Sequence, residues 1–392
     1  MTDDTRVTTD AAEQIVEAAR ALGPQIRAAI GEMEQGRRLP ATIVQAMQQA
    51  GAFRMTMPRE WGGPEADPLT QVRIVEALST ADGSVGWCSM IGSDGGYFTA
   101  FMDQAVAREM YPDINAVTAT VLRPSGRAVA VKDGYRVSGR WKFASGCQHS
   151  TWIANACAVF EGTTPRLNKR GNPEVLVCFM PTPECEIIDT WTTTGLRGTG
   201  SHDVEAKEVF VPAERAFNLA KPVSRRQSPL YALPSLFLSN LPGVPLGIAR
   251  SAIDTLVELV GQKPVMFGTN MLREEAHIQA AVAQAEALLG SARSYLFDVM
   301  GDLWATLCAG DPPSPRQRAG YRLSMTHLTS SCVQAVALMY KAGGGSSLYA
   351  AHPLDRHFRD IHTLNQHVVV SQKTYQSAGR MFLGLEPGEP FF

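Results

Sequence analysis

The stretch with the most chemical content is GYRVSGRWKFASG, residues 134–146. On a strand, side chains alternate between faces. Tyr135, Val137, Trp141, Phe143 and Ser145 are therefore predicted to share one side, and Arg136, Ser138, Arg140 and Lys142 the other. A hydroxyl then ends an apolar, aromatic row. Such a row is either a core face whose last polar residue enters a turn, or a wall for a flat ligand to which Ser145 offers a hydrogen bond. A second stretch, GLRGTGSHDVEAKEVFVP at 195–212, sets Arg197, Thr199 and Ser201 among three glycines just ahead of a strand. Loops of this kind hold phosphate through amides and hydroxyls, and they are also ordinary tight turns. A third feature is four histidines at intervals of five: His352, His357, His362 and His367. Five residues turn a helix by about 140°, so successive members point apart and cannot share a metal ion. Each stands as a single acid or base, or as a structural histidine. With no GxSxG elbow, HExxH pair or Walker A loop, any reactivity is assigned to an organic cofactor.

The elements that must position these residues change in type along the chain. Asp10 and Glu13 make a capping-box start ahead of Ile15, Ala18, Leu22, Ile26 and Ile30, and Pro24 is expected to kink or divide that helix. Helical stretches are predicted through PLTQVRIVEALSTADGSVGWCSMIG (68–92) and FTAFMDQAVAREMY (98–111). From about 116 to 220 the pattern is that of strands, with a DG turn in KDGYRVSGRWKF and further strands at EVLVCFMP and EAKEVFVP. Helical periodicity returns in AHIQAAVAQAEALLGSARSYLFDVMGDLW and LTSSCVQAVALMYKAGG, while 221–229 and PPSPRQ at 312–317 read as loops. The order α, β, α, without βαβ alternation, excludes a doubly wound nucleotide domain. It predicts an α+β protein with a helical domain at 1–115, a β domain at 116–225 and a helical bundle at 226–392.

Composition narrows the function classes. The 392 residues carry 36 Lys+Arg and 38 Asp+Glu, a formal net charge of −2, with no basic stripe, which argues against a nucleic-acid partner. The polar N-terminus has no signal-peptide core, and no apolar run approaches the roughly 18 residues needed to span a bilayer, so a cytoplasmic protein is expected. Seven scattered cysteines without a CxxC pair argue against a disulfide framework or zinc site.

MPREWGGPEADPL, ADGSVGW, GRWKFASGCQHSTW, GLRGTGSHDVEAKEVFVP and HPLDRHFRDIHTLNQH together resemble the acyl-CoA dehydrogenase superfamily over nearly the full chain. Within it the chain is more similar to the group D flavin-dependent monooxygenases, the oxygenase components of two-component systems of the 4-hydroxyphenylacetate 3-hydroxylase type. The resemblance implies an N-terminal helical domain, a middle β-barrel or sandwich and a C-terminal four-helix bundle. It implies reduced FMN or FAD delivered by a separate NAD(P)H:flavin reductase, and a homotetramer. One oxygen atom from O2 would pass, by way of a flavin C4a-hydroperoxide, to a small phenol- or indole-type aromatic. Ser145 would lie near flavin N5 and His367 would move a proton. Trp141, Phe143 and Trp152 would exclude water and stack, and Arg197, Thr199 and Ser201 would hold the flavin phosphate. The substrate pocket would include Trp87, Asp94, Gly95 and Trp152, with Gly95 near the place of a second histidine in phenol hydroxylases.

The departures from the dehydrogenases bear on chemistry. Their α-proton is removed by a carboxylate, but His367 and Val368 follow the Arg359-Asp360 pair at its usual distance, and Ser239 stands at the alternative position. Pro264 replaces an arginine of the FAD-binding pattern, which keeps FMN open as the flavin. Two alternatives stand at this level: a dehydrogenase with another base, and a catalytically silent flavin-binding bundle.

Overall fold

The computed structural model describes residues 3–218, 224–266, 269–389 and 392, with side chains from residue 10 onward. Part of the 221–229 stretch, residues 221–223, lies outside the described residues.

Helix α1 (Asp3–Ala21) ends before Pro24, which sits in the first turn of α2 (Gly23–Ala28), and the chain continues through α3 (Ile30–Gly36) and α4 (Ala41–Ala50). Pro24 thus divides the helix as expected, because a proline nitrogen costs nothing where N–H groups are unpaired anyway. The stretch 68–92 is two helices. Asp67 caps α5 (Pro68–Ala81) and Asp82 caps α6 (Gly83–Gly92), each carboxylate accepting two backbone N–H bonds. Asp82 has extended backbone angles, φ −158° and ψ 132°. The capping preference of Asp outweighs the apolar periodicity that runs across it. Helix α6 is buried along almost its whole length and is followed by α7 (Gly95–Thr99) and α8 (Gln104–Met110).

Among the described residues eight strands follow: β1 (Thr118–Val131), β2 (Gly134–Ala144), β3 (Trp152–Glu161), β4 (Thr164–Pro165), β5 (Val175–Pro181), β6 (Glu186–Ile188), β7 (His202–Pro212) and β8 (Ala216–Phe217). They form one sheet in the order β6-β7-β2-β1-β3-β5-β8, with β4 paired to β3. β1 and β2 meet across the Lys132–Asp133 connection, with Val131 opposite Gly134. The pairing of β2 with β7 shifts register between Trp141 and Ala144, and Phe143 in that bulge has φ 67°. Trp141 stays inside the sheet's core, where its ring lies so close to Gly126 that any side chain there would collide.

The chain returns to helix at α9 (Gly243–Gln262), α10 (Ala276–Cys308), α11 (Pro315–Ala342), α12 (Pro353–Leu364) and α13 (Lys373–Phe382). The segment read as a loop at 312–317 is half helix: Ser314 and Gln317 form a reciprocal capping box and Pro315 opens α11. α9 is the central member, buried against α5, α10, α11 and α12. The architecture is α+β, with N-terminal helices, a central mixed sheet and a C-terminal helical bundle. Among the described residues no helix is long and apolar enough to cross a membrane.

Candidate active site

The β2 bulge decides where Ser145 points. With Phe143 in a left-handed conformation, alternation breaks after Trp141. Ala144 and Ser145 turn inward, while Phe143 is 65% exposed. Buried Ser145 then meets two elements far away in sequence. The Trp87 indole N–H, from α6, donates to its Oγ at 2.9 Å, and its hydroxyl is 2.7 Å from that of Ser201. Ser201 is in turn 2.7 Å from the Thr199 hydroxyl, which donates to the Leu196 carbonyl at 2.8 Å.

Proton counting gives this row a direction. Four hydrogen bonds need four protons, and the row holds four: one on the indole and one on each hydroxyl. The indole can only donate and the carbonyl can only accept. All four bonds form only when Ser145 donates to Ser201 and Ser201 to Thr199. Ser145 is left with a lone pair, and no proton, to offer a ligand.

The loop carrying Thr199 and Ser201 is held from α12. Asp360 Oδ1 accepts the Leu196 N–H at 2.6 Å. Burial, reinforced by Asp82, pushes the Asp360 carboxyl up to about 7, and Arg356 and the Leu196 N–H pull against that rise. The four histidines do not gather. His352 caps α12, buried His357 lies 3.2 Å from the Ser251 hydroxyl, and His362 packs on Phe358. His367, just past α12, presents its half-buried ring edge-on to Trp87, with ring centres 5.3 Å apart. Trp87 therefore touches both Ser145 and His367. Among the described residues the enclosed Nδ1 of His367 has no partner, and burial, with a smaller contribution from Arg322, lowers its pKa to about 4. The ring is neutral near pH 7, able to take up a proton or pass one on.

Other expected residues sit elsewhere. Trp141 is fully buried and donates to the Ala156 carbonyl at 2.8 Å; it packs the sheet and cannot face a ligand. Phe143 leaves the predicted row because of the bulge, and stands uncovered and edge-on to Trp191 at 6.2 Å. Trp152 packs between the sheet and α8, its N–H on the Met110 carbonyl and its ring beneath Arg215. Arg197 donates from Nε to the Glu34 carbonyl and from Nη1 to the Thr193 carbonyl, so it pins the loop to α3 with two of its three nitrogens. Asp94 is buried, and loss of water raises its pKa well above the usual carboxylate range despite the nearby Thr120 hydroxyl. At Gly95 a Cβ would lie 2.8 Å from the Tyr111 ring, so no histidine fits there. No hydrogen bond or ring contact among the described residues joins Asp94 to Ser145 or His367.

One residue near the site carried no sequence signal. Arg322 on α11 is buried, donates to the Val369 carbonyl at 3.0 Å two residues from His367, and has no carboxylate partner among the described residues. A lone arginine at helical spacing looks like surface until the fold encloses it. Among the described residues no group of three His, Cys, Asp or Glu side chains could hold a metal ion. The donor set suits a flat heteroaromatic ring instead: an oriented hydroxyl, a neutral imidazole with a free nitrogen, and the uncovered Phe143 face.

Comparison with known proteins agrees with this chemistry. Residues 9–116 match the acyl-CoA dehydrogenase N-terminal domain and 241–372 the acyl-CoA dehydrogenase C-terminal domain. The chain is 31% identical over 368 residues to an indole-3-acetate monooxygenase of Acinetobacter baumannii, covering 92% of each. It is 30% identical over 359 residues to the flavin-dependent monooxygenase oxygenase subunit HsaA of Rhodococcus jostii, covering 88% of this chain and 92% of that one. The solved 3-HSA hydroxylase from Rhodococcus sp. RHA1 superposes with a TM-score of 0.88 at 26% identity, covering 97% of this chain and 99% of that one. Fold and site thus define an enzyme of acyl-CoA dehydrogenase architecture. The chain belongs to the flavin-dependent monooxygenases built on that fold, and flavin is its cofactor.

Proposed function

We propose that the chain is the oxygenase component of a two-component system, oxygenating a small indole- or phenol-type aromatic with reduced FMN or FAD supplied by a separate NAD(P)H:flavin reductase. The observation that carries this reading is the junction at Trp87. It links an oriented Ser145 hydroxyl to a neutral His367 that stands where a dehydrogenase would need a carboxylate. Bound reduced flavin supplies the electrons that activate O2. Ser145 and Phe143 are the residues that would hold it, with Thr199 and Ser201 orienting the Ser145 hydroxyl from behind. His367 holds or moves one proton beside the ring, an effect typically worth 10²–10⁴-fold. Burial of Trp87, Ser145 and Asp94 keeps bulk water from the reacting atoms. Exposed Leu348, Tyr349 and Val368 support the reading of a homotetramer, and reliance on an NAD(P)H-dependent reductase supports the reading of a cytoplasmic enzyme.

The test is anaerobic loading with chemically reduced FMN or FAD, then O2 and an aromatic substrate, read by product mass. A gain of one oxygen atom is expected. Bleaching of bound oxidised flavin by an acyl-CoA, without oxygenation, would transfer the chain to the dehydrogenases.

A further inference from the structure

Arg322 carries a charge that packing alone does not require. It stands on α11, which packs against the turn after α12, and it is only 8% exposed. Its Nη2 donates to the Val369 carbonyl at 3.0 Å, its Nη1 lies 4.0 Å from Met325 Sδ, and the Phe392 ring is 5.8 Å away. Among the described residues it has no carboxylate partner, and its Nε makes no hydrogen bond. Enclosing an uncompensated guanidinium is costly, and a neutral amide could hold the same carbonyl at less cost. The charge itself therefore needs a reason.

That reason lies in the turn it holds. The His367 N–H donates to the Leu364 carbonyl at 2.9 Å, and the Val370 N–H returns to the His367 carbonyl at 3.1 Å, so His367 and Val369 belong to one tight turn. Among the described residues the bond from Arg322 is the only side-chain hydrogen bond to residues 367–370. The other groups around the imidazole are uncharged or engaged elsewhere. From α6, Trp87 meets the ring edge-on. On α12, Asp360 accepts the Leu196 N–H and His362 packs on Phe358. On α11, Tyr321 donates its hydroxyl to the Ser235 carbonyl at 3.2 Å.

We infer that Arg322 is the positioning residue for His367: it ties the turn that carries the imidazole to α11 and sets a permanent positive charge behind it. The inference rests on the proton role proposed for His367, and it adds the residue through which the fold controls that role. Burial disfavours the imidazolium, and repulsion from the guanidinium adds to it, so the ring keeps a lone pair available for a proton. A guanidinium suits the task because it stays charged at any working pH.

The experiment follows deuterium uptake at the His367 ring C2 by peptide mass across pH, which reports protonation without turnover. The full chain is compared as wild type, Arg322→Gln and Arg322→Lys. Gln keeps a donor for the Val369 carbonyl and removes the charge; Lys keeps the charge. Wild-type His367 should titrate well below an ordinary histidine. Its proton affinity should rise about tenfold in Arg322→Gln and stay within about threefold of wild type in Arg322→Lys. Product per flavin oxidised should fall on the acid side, and in Arg322→Gln that fall should begin at an about tenfold lower proton concentration. An unchanged midpoint in Arg322→Gln overturns the inference. Equal shifts in both variants overturn it too, by making shape rather than charge the cause. Should Arg322→Gln fail to fold, wild type and Arg322→Lys decide: a low midpoint in both supports the inference, and an ordinary histidine value in either overturns it. A shifted midpoint with an unshifted yield profile counts against the proton role of His367 alone.

Discussion

Ser201→Ala tests the direction of the hydroxyl row. In the intact row the Ser145 proton is committed to Ser201, because Thr199 spends its own on Leu196 and the Trp87 indole fills one Ser145 lone pair. An oxygen with only a lone pair to offer favours the N–H that a reduced flavin carries at N5 and opposes the lone pair an oxidised flavin has there. With Ser145 at flavin N5, as proposed, the row favours the reduced state over the oxidised one. Ser201→Ala removes the sole acceptor of the Ser145 proton and frees that hydroxyl to donate. The change exchanges one well-made hydrogen bond for one opposed pair of acceptors, about 1–3 kcal/mol. At 1.4 kcal/mol per factor of ten, preference for reduced over oxidised flavin should fall by about 5- to 150-fold. Most of the change should be a gain in affinity for the oxidised form. The assay is a pair of fluorescence or absorbance titrations, oxidised in air and reduced under anaerobic conditions, on wild type and variant. An unchanged ratio of dissociation constants would refute the reasoning. So would a loss of both affinities by the same factor, which would mean that Ser201 only shapes the loop.

Three further outcomes follow from the same geometry. His367→Ala should cut product yield while flavin oxidation continues and the missing oxygen appears as H2O2; full coupling in that variant would remove His367 from the chemistry. Asp360→Asn should alter the pH dependence of stability. Because the Asp360 carboxyl is pushed up to about 7, against about 4 in an unfolded chain, the fold favours its protonated form, and wild type loses stability as pH rises through that interval. Asn keeps an acceptor for the Leu196 N–H and cannot ionise, so thermal melts should match wild type near pH 4 and exceed it at pH 8; an offset independent of pH would refute this. Trp141→Ala should cost about 3–5 kcal/mol of unfolding free energy in denaturant titration and leave flavin affinity of the folded fraction within about twofold. Loss of flavin binding at full stability would return Trp141 to the cofactor wall.

How much of this was legible in the chain depends on the range of each interaction. Helix content, the change to strands and the dividing role of Pro24 follow from period and local chemistry, so they could be read directly. The division of 68–92 at Asp82 was open to a capping argument, but apolar periodicity on both sides concealed it. The exposure of Phe143 was not legible, because a bulge depends on the partner strand, and β7 begins 59 residues later at His202. Trp87 and Ser145 are separated by 58 positions and Leu196 and Asp360 by 164, so neither contact has a spacing signature. Substitutions at single sites behaved differently. The missing base at 367–368 and at Ser239 is a statement about residue type alone, and it directs the reading away from α-proton removal before any distance is known. Gly95 shows the limit of that approach. Its type says that no second histidine is present; the Tyr111 ring, 2.8 Å from where a Cβ would stand, says that none could be accommodated. On the proposed reading, activation of the substrate then comes from its own electron density and from groups already in place, and Gly95 gives no reason to search for a missing base.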